Sequence, residues 1–482
     1  MNLLANHTYR LSLLFLFVGL FSLTTLNGQN AEARKQFIGA WSGSLATPGA
    51  ALDLGFDIKY ESEKWSATID VPAQGVKGFN ASEVVVTGQE ITIQFSAFQA
   101  SYTGSLDAAG EKLTGKWAQG GMSLDLVMER SSGDKVLNRP QVPKAPFPYT
   151  SEEVSYINEA DKLSLAGTLT LPKTAGPHAV VILISGSGPQ NRDEELMGHK
   201  PFLVLSDYLT RQGIAVLRYD DRGVGKSTGN FTGATSLDFS RDVMAGIAYL
   251  KTRKEIDATK IGLVGHSEGG LIAPMVASKS KDVSFIVLLA GPGIKCDELL
   301  IQQQGLIGRS MGKPEAAIKK DSIQNEKVYE IVKKDLSAME RRSALIAFLK
   351  PEFDTLSAAE QEAKGGSVEA SVDQLLGQVG GPWFRYFLNF DPAVYLTKVS
   401  CPTLAVNGGK DLQVPAKVNL EGIKTSLEKA PCKVFEIKEF PEMNHLFQTA
   451  KTGAVAEYYQ IEETFAPAAM TFVGNWILEQ TR

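Results

Sequence analysis

The chain changes its hydrophobic rhythm twice. From Phe37 to Arg130, apolar and polar positions alternate in short runs broken by glycine, as in Leu52–Ile58, Glu90–Phe95 and Ser123–Met128. A period of two over such runs predicts half-buried antiparallel strands. About seven or eight strands fit the segment, which predicts a small β-barrel or sandwich over 31–130. Trp41, Trp65 and Trp117 are expected in its core. Residues 131–149 carry Pro140, Pro143, Pro146 and Pro148 and read as a stiff linker that holds the domain boundary. From Ser151 the pattern changes. Strands predicted at 151–157 and 163–171 precede His178–Ser185, a continuous apolar run of the kind that central parallel strands show. A helix near 200–212, a strand at 214–218, a helix near 237–252, a strand at 261–265, a helix near 270–279 and a strand at 283–290 follow. This alternation predicts a doubly wound α/β sheet over 150–482. Residues 294–385 are rich in Lys, Glu, Ala and Leu and predict a helical insertion. The sheet resumes at Thr403–Val406, with a helix near 415–428, a last strand at Cys432–Ile437 and a closing helix near 455–480.

Composition changes this picture in three places. A chain of 482 residues is long for one domain, in keeping with the two rhythms. A net charge of -5 gives no electrostatic reason to expect a nucleic-acid partner. Arg10, the apolar run Leu11–Leu26 and small Gly28 read as a secretory signal over 1–28, which predicts a periplasmic or secreted protein. No later stretch is long and apolar enough to predict a membrane span. The three cysteines, Cys296, Cys401 and Cys432, make no disulfide framework. Cys401 and Cys432 each precede a predicted strand, so one bridge stays open as a reading, and buried thiols are the simpler one. No Cys/His spacing suggests a metal site, and no cofactor is implied.

The candidate chemistry lies where strands end. Gly265-His266-Ser267-Glu268-Gly269 fits G-x-S-x-G between a strand and a helix, the context of a nucleophile elbow. Asn407-Gly408-Gly409-Lys410-Asp411 follows the penultimate strand, and Met443-Asn444-His445 follows the last. A serine hydroxyl needs a base in hydrogen-bond reach, and the base needs an orienting acid. Ser267, His445 and Asp411 supply those types. His199, in a loop, competes for the base. Asp391-Pro392 competes for the acid but reads more simply as a helix N-cap. Tyr219–Ser227 has Asp220 where a phosphate-binding loop needs glycine, so that reading fails. Arg222 in this loop is expected to pair with a carboxylate.

Taken together, these positions resemble the α/β-hydrolase superfamily over 151–482. The resemblance implies an α/β-hydrolase fold with a helical cap at 294–385, preceded by the small β domain. It implies a serine hydrolase with Ser267 as nucleophile, His445 as general base and acid, and Asp411 as orienter. One oxyanion donor is then the amide of Glu268, and the other comes from the loop Ser185–Asp193. This chain has Ser185-Gly186 where the family often has His-Gly, which leaves Ser187 first and Gly188 next as the second donor. The run Gly186-Ser187-Gly188-Pro189-Gln190-Asn191-Arg192-Asp193 is similar to that of a group of bacterial carboxylesterases. The expected reaction is hydrolysis of a small-molecule ester, an acylated saccharide or short peptide included, with no cofactor or metal. A peptidase of the serine-aminopeptidase kind shares the scaffold, and a non-catalytic binding protein on a hydrolase scaffold is a different class. In the aromatic stretch Pro382–Phe390, Trp383 and Phe387 are expected either to wall the acyl pocket or to dock the cap.

Overall fold

The computed structural model describes residues 36–47, 50–72, 76–119, 122–131 and 137–482. The expected signal at 1–28 lies outside them. Contacts divide the chain into two units, one ending at Val136 and one beginning at Leu137.

The first unit is one nine-stranded sheet. Its strands are β1 (Gly39–Thr47), β2 (Ala50–Glu61), β3 (Lys64–Val71), β4 (Val76–Asn80), β5 (Glu83–Thr87), β6 (Glu90–Phe95), β7 (Ala100–Leu106), β8 (Lys112–Gln119) and β9 (Met122–Arg130). The order is β4-β3-β2-β1-β9-β8-β7-β6-β5, with antiparallel pairing throughout. The two edge strands, β4 and β5, are consecutive in the chain and separated only by Ala81 and Ser82. The amide of Ala81 donates to the Ala67 carbonyl and that of Ser82 to the Gln94 carbonyl, each at 2.8 Å. A two-residue link between opposite edges forces the sheet to curl on itself, into a half-barrel. Phe56 is the hub of its core, with ring centroids 5.3 Å from Tyr102, 6.2 Å from Phe95 and 6.5 Å from Trp117. Trp41 and Trp117 are buried there, while Trp65 packs on the margin against Tyr60 and Phe37. β4 is largely exposed and has no alternation to read, which is why fewer strands are expected from the pattern than are formed.

The second unit opens with a segment that is docked, not free. Arg139 donates to the carbonyls of Met197, Tyr459 and Ile461 at 2.9, 2.9 and 3.0 Å. Gln141 accepts from the amides of Thr464 and Phe465 and donates to the Phe465 carbonyl. An eight-stranded sheet follows: β10 (Thr150–Asn158), β11 (Leu163–Leu171), β12 (His178–Ile184), β13 (Ala215–Tyr219), β14 (Ile256–His266), β15 (Phe285–Leu289), β16 (Thr403–Gly408) and β17 (Phe435–Phe440). The order is β10-β11-β13-β12-β14-β15-β16-β17; β10 and β11 are antiparallel to their neighbours and the rest are parallel. The helices are α1 (Pro201–Arg211), α2 (Ser236–Leu250), α3 (Gly269–Ala277), α4 (Cys296–Ser310), α5 (Glu315–Lys333), α6 (Ala338–Phe353), α7 (Ala358–Ala363), α8 (Val368–Val379), α9 (Pro382–Leu388), α10 (Ala393–Leu396), α11 (Ala416–Leu427), α12 (Val455–Gln460) and α13 (Pro467–Gln480).

β12 shows why its sequence is apolar throughout. Val180, Ile182 and Ile184 join a cluster with α2, α3 and α11, while Val181 and Leu183 join another with α1 and α13. Both faces of the sheet are covered by helices, and α4 to α9 form a cap between β15 and β16. This is the α/β-hydrolase fold. Among the described residues no helix is long and apolar enough to cross a membrane. Cys296, Cys401 and Cys432 are free, and the Cys432 thiol lies 3.0 Å from the Cys401 carbonyl oxygen. Burial pushes the Cys401 thiol up to about 12.

Candidate active site

Strands β12 and β14 to β17 run parallel, so the loops that leave their C-terminal ends share one edge of the sheet. Ser267 leaves β14 there with φ 53°, in the left-handed region. For a serine that costs on the order of 1 kcal/mol or more, so the surroundings must impose it. The Ser267 amide donates to the Leu289 carbonyl at the end of β15, and its carbonyl accepts from Gly270, both at 2.9 Å. Glycine is required on either side. A Cβ at Gly265 would lie 2.0 Å from the Gly269 carbonyl oxygen, and one at Gly269 would lie 2.1 Å from that of Ile184. Helix α3 starts at once, so Ser267 sits on a sharp turn between a central strand and a buried helix.

The candidate acid and base meet on the same edge. Asp411 follows β16 and His445 follows β17. Asp411 Oδ2 lies 2.7 Å from His445 Nδ1, and both side chains are buried. The other carboxylate oxygen, Oδ1, accepts from the amides of Gln413 and Val414 at 2.8 Å each. One oxygen is thus anchored by the backbone and the other is given to the imidazole. The loop that carries His445 is shaped by Asn444, whose Oδ1 accepts from Leu446 and Gln448 at 3.0 Å.

The loop after β12 abuts Ser267. A Cβ on Gly186 would come within 3.2 Å of Ser267 Cβ. The Gly186 amide is taken by Glu194 Oε1 at 2.7 Å, so the next amides in the loop are those of Ser187 and Gly188. Ser187 is exposed and Gly188 has φ 96°. Asp221 braces the loop by accepting from Ser185 Oγ at 3.1 Å and from the Gln190 amide at 3.0 Å. Burial raises the Asp221 carboxyl to about 8 against those two donors. Arg192 grips Asp220 through its own amide, Nε and Nη2 at 2.9, 3.0 and 2.8 Å. Arg222 pairs with Asp242 and Asp161, each at 2.7 Å. The Tyr219–Ser227 stretch is therefore a strut beneath the loop.

Two further side chains complete the arrangement, and sequence reasoning missed their role. His266 Nε2 lies 2.9 Å from the carbonyl oxygen of His445, to which it must donate. Its Nδ1 lies 2.9 Å from Glu194 Oε1. Burial works against a charged ring, but the charge and hydrogen bond of Glu194 outweigh it, and the His266 pKa is raised. The carboxyl of Glu194 thus favours the protonated form of the ring. Glu194 itself holds φ 51°, and its Oε2 is buried without a partner. Glu194 thus ties the Gly186 loop to the elbow, and His266 ties the elbow to the backbone of His445. The two imidazole rings are 4.8 Å apart. The sequence signal is faint: an acid after Arg192-Asp193, and a histidine before the serine.

The remaining candidates have other partners. His199 is fully buried between Thr464 Oγ1 at 2.9 Å and the Tyr458 carbonyl at 2.8 Å, and burial pushes its pKa down to about 4. Asp391 Oδ1 accepts from the Ala393 amide at the head of α10. Glu268 is buried, and its Oε1 accepts from Ser236 Oγ at 2.5 Å and from Trp383 Nε1 at 2.9 Å. Burial raises the Glu268 pKa despite both donors. Trp383 stacks on Phe387 at 5.1 Å. Phe387 is buried against Leu271 and Met275 of α3, so α9 seats the cap on the elbow helix. Trp383 stays half-buried.

Residues 198–344 match the profile of the family described as Serine aminopeptidase, S33. That range includes Ser267 and stops short of Asp411 and His445. Esterase EstD of Thermotoga maritima is 22% identical over 426 residues, 87% of this chain and 92% of EstD. Such a span exceeds the second unit and takes in part of the first. Among solved structures, an esterase of Pyrococcus furiosus is 18% identical with a TM-score of 0.42, over 73% of this chain and 100% of its own. Est1E of Butyrivibrio proteoclasticus, solved with ferulic acid bound, is 18% identical with a TM-score of 0.40, over 68% of this chain and 99% of its own.

Proposed function

We propose that the protein hydrolyses carboxylic esters of small molecules through an acyl-serine intermediate. His445 Nε2 takes the proton of Ser267 Oγ as that oxygen attacks the acyl carbon. The carbonyl electron pair moves onto oxygen, where the amides of Glu268 and Ser187 receive it. The bond to the alcohol oxygen breaks as His445 returns the proton to it. Water then repeats the sequence on the acyl-enzyme, releasing the acid and restoring Ser267. Asp411 fixes the tautomer and steadies the imidazolium. The observation that carries this reading is the buried Asp411–His445 contact at 2.7 Å, on the sheet edge where Ser267 is held in a left-handed turn.

An ester substrate is favoured over an aminoacyl amide by the acid nearest the nucleophile in sequence. An aminopeptidase needs a carboxylate to hold a substrate ammonium, and Glu268 Oε1 already accepts from Ser236 and Trp383. The likeness to EstD over most of both chains supports the same choice. The test is turnover of a panel of acyl esters and aminoacyl amides by the full chain and by Ser267→Ala. Ester turnover should dominate and fall by about a thousandfold or more in the variant. Preference for the amides would replace the ester reading with the peptidase one. Arg10, the apolar run after it and Gly28 support export to the periplasm or medium. N-terminal sequencing of the mature protein tests this, with a start near residue 29 expected and an intact Met1 contradicting it.

A further inference from the structure

β17 is the last strand of its sheet, and among the described residues no strand pairs with its outer side. The parallel ladder to β16 fixes which backbone groups face outward. The amide of Thr403 donates to the Val434 carbonyl at 3.0 Å, and that of Gly409 to the Phe440 carbonyl at 2.8 Å. Successive residues of a strand turn their backbone groups to opposite sides, so Val434, Glu436, Lys438 and Phe440 face β16. The amides and carbonyls of Phe435, Ile437 and Glu439 face away from it. The side chains leave this edge open: Glu436, Lys438 and Glu439 are exposed, and Val434 is 53% exposed. Glu436 and Lys438 stand two residues apart, on one face of the sheet. Among the described residues neither has an ion pair. The Lys438 ammonium rests over the rings of Phe440 and Phe472, at 5.9 and 6.0 Å. The opposite edge strand, β10, shows the contrast. Its Glu152 is held by Arg253 at 2.8 Å, and its Glu153 by Arg192 and Lys226 at 2.8 and 3.3 Å.

An open edge is a template for another strand, and charges on it discriminate among pairings. A second copy related by a two-fold axis would lay its own β17 antiparallel to this one. Outward backbone groups must then meet outward groups, which pairs Phe435, Ile437 and Glu439 only among themselves. An axis at Glu436 sets that carboxylate against its own copy, and an axis at Lys438 sets two ammonium groups together; both are unfavourable. An axis at Ile437 removes the conflict. Ile437 then meets Ile437, Phe435 meets Glu439, and Glu436 of each copy lies opposite Lys438 of the other. The Glu–Lys pairs fall at non-hydrogen-bonded positions, where facing side chains are closest. The exposed Val434 of each copy lies opposite Phe440 of the other. We infer that β17 pairs with the β17 of a second copy of this chain, antiparallel about a two-fold axis at Ile437, so that two eight-stranded sheets join into one. This inference goes beyond the hydrolase reading and does not depend on it.

The test is the mass of the full-length chain in solution, read by sedimentation equilibrium at concentrations up to about 100 μM. The native chain should be a dimer. Glu436→Lys and Lys438→Glu each set like charges opposite one another on both sides of the axis. Each should raise the dimer dissociation constant by about tenfold or more, and neither removes a backbone bond to β16. An equimolar mixture of the two variants restores opposite charges at both positions. It should return to near-native affinity, as a dimer with one chain of each kind. Ile437→Pro removes an amide that faces outward, a place where an edge strand tolerates proline. It should weaken the dimer while thermal unfolding of the monomer stays near that of the charge variants. A native chain that stays monomeric over the whole series overturns the pairing. So does a dimer that both charge variants leave intact, since it would use another surface. Charge variants that weaken the dimer alone but do not recover on mixing overturn the register, and with it the inference. None of these readings uses catalysis, so a failure of the ester assignment would be seen separately, in turnover.

Discussion

The base of the site and the cap are built in opposite ways. All nine residues of α3, behind the elbow, are buried, whereas only Cys296 and Leu299 are buried among the fifteen of α4. At the base the three proposed triad residues are held by named bonds: Ser267 by Leu289 and Gly270, Asp411 by two amides, and His445 through its carbonyl by His266. In the cap, α5 buries four of its nineteen residues and α6 three of its sixteen. On the proposed function, the difference separates two tasks. Chemistry needs groups fixed to fractions of an ångström, which a close-packed parallel sheet supplies. Selection among substrates is served by an inserted surface that can change without disturbing that sheet.

The contrast is broken most severely at the acid. Asp411→Asn should lower kcat by about three to four orders of magnitude, because the imidazole loses its orienting carboxylate. Asp391→Asn, which only replaces one helix-capping residue by another, should leave kcat near its native value. Steady-state kinetics on the two folded variants decides it; a dead Asp391→Asn would move the acid to the wrong side of the comparison.

A cut at the clamp should be milder. Glu194→Gln keeps the shape but removes the charge that raises the His266 pKa. A charge-assisted bond of this kind is worth about 1.5–3 kcal/mol, so kcat should fall by roughly tenfold or more with KM little changed. The pH dependence has a defined sign. The folded pKa of His266 is raised, so the pair's stabilisation is complete below the unfolded value of about 6.5 and is lost as pH rises through the folded value. The stability gap between native and Glu194→Gln chains should therefore be widest on the acid side of that value and should close toward alkaline pH. A gap that widens with pH would contradict the ion pair.

The cap should yield differently at two neighbouring rings. Phe387→Ala removes a buried ring and should cost about 3–5 kcal/mol of stability, with esters of all acyl lengths affected alike. Trp383→Ala opens a half-buried wall, and longer acyl groups should lose roughly 1–3 kcal/mol of discrimination against short ones. A uniform loss from acetate to octanoate with Trp383→Ala would leave that ring a docking residue only. Smallest is Trp383→Phe, which forfeits one hydrogen bond to Glu268 and should cost about 1 kcal/mol by denaturant unfolding.

What the sequence reveals follows the same division. β12, β15 and β16 are buried on both faces, so continuous apolar runs and short turns mark them to within a few residues. β17 is an edge strand with mixed exposure, and its pattern is ambiguous: the run from Cys432 begins early because the Cys432 amide bonds Val399 before the ladder starts. The predicted closing helix over 455–480 is two helices, since Pro467 starts α13 afresh and Gln141 holds the amides of Thr464 and Phe465 outside both. Ser267, Asp411 and His445 are legible because each follows a strand end. Glu194 and His266 are not, because their partnership spans 72 residues and no local pattern records it.

The most direct measurement is the position of a fluorophosphonate adduct on the full-length protein, read by peptide mass spectrometry alongside ester turnover. A single adduct on Ser267 is expected, lost together with ester turnover in Ser267→Ala and slowed in His445→Ala. An adduct on another serine, or a folded Ser267→Ala chain that still hydrolyses esters at the native rate, would contradict it.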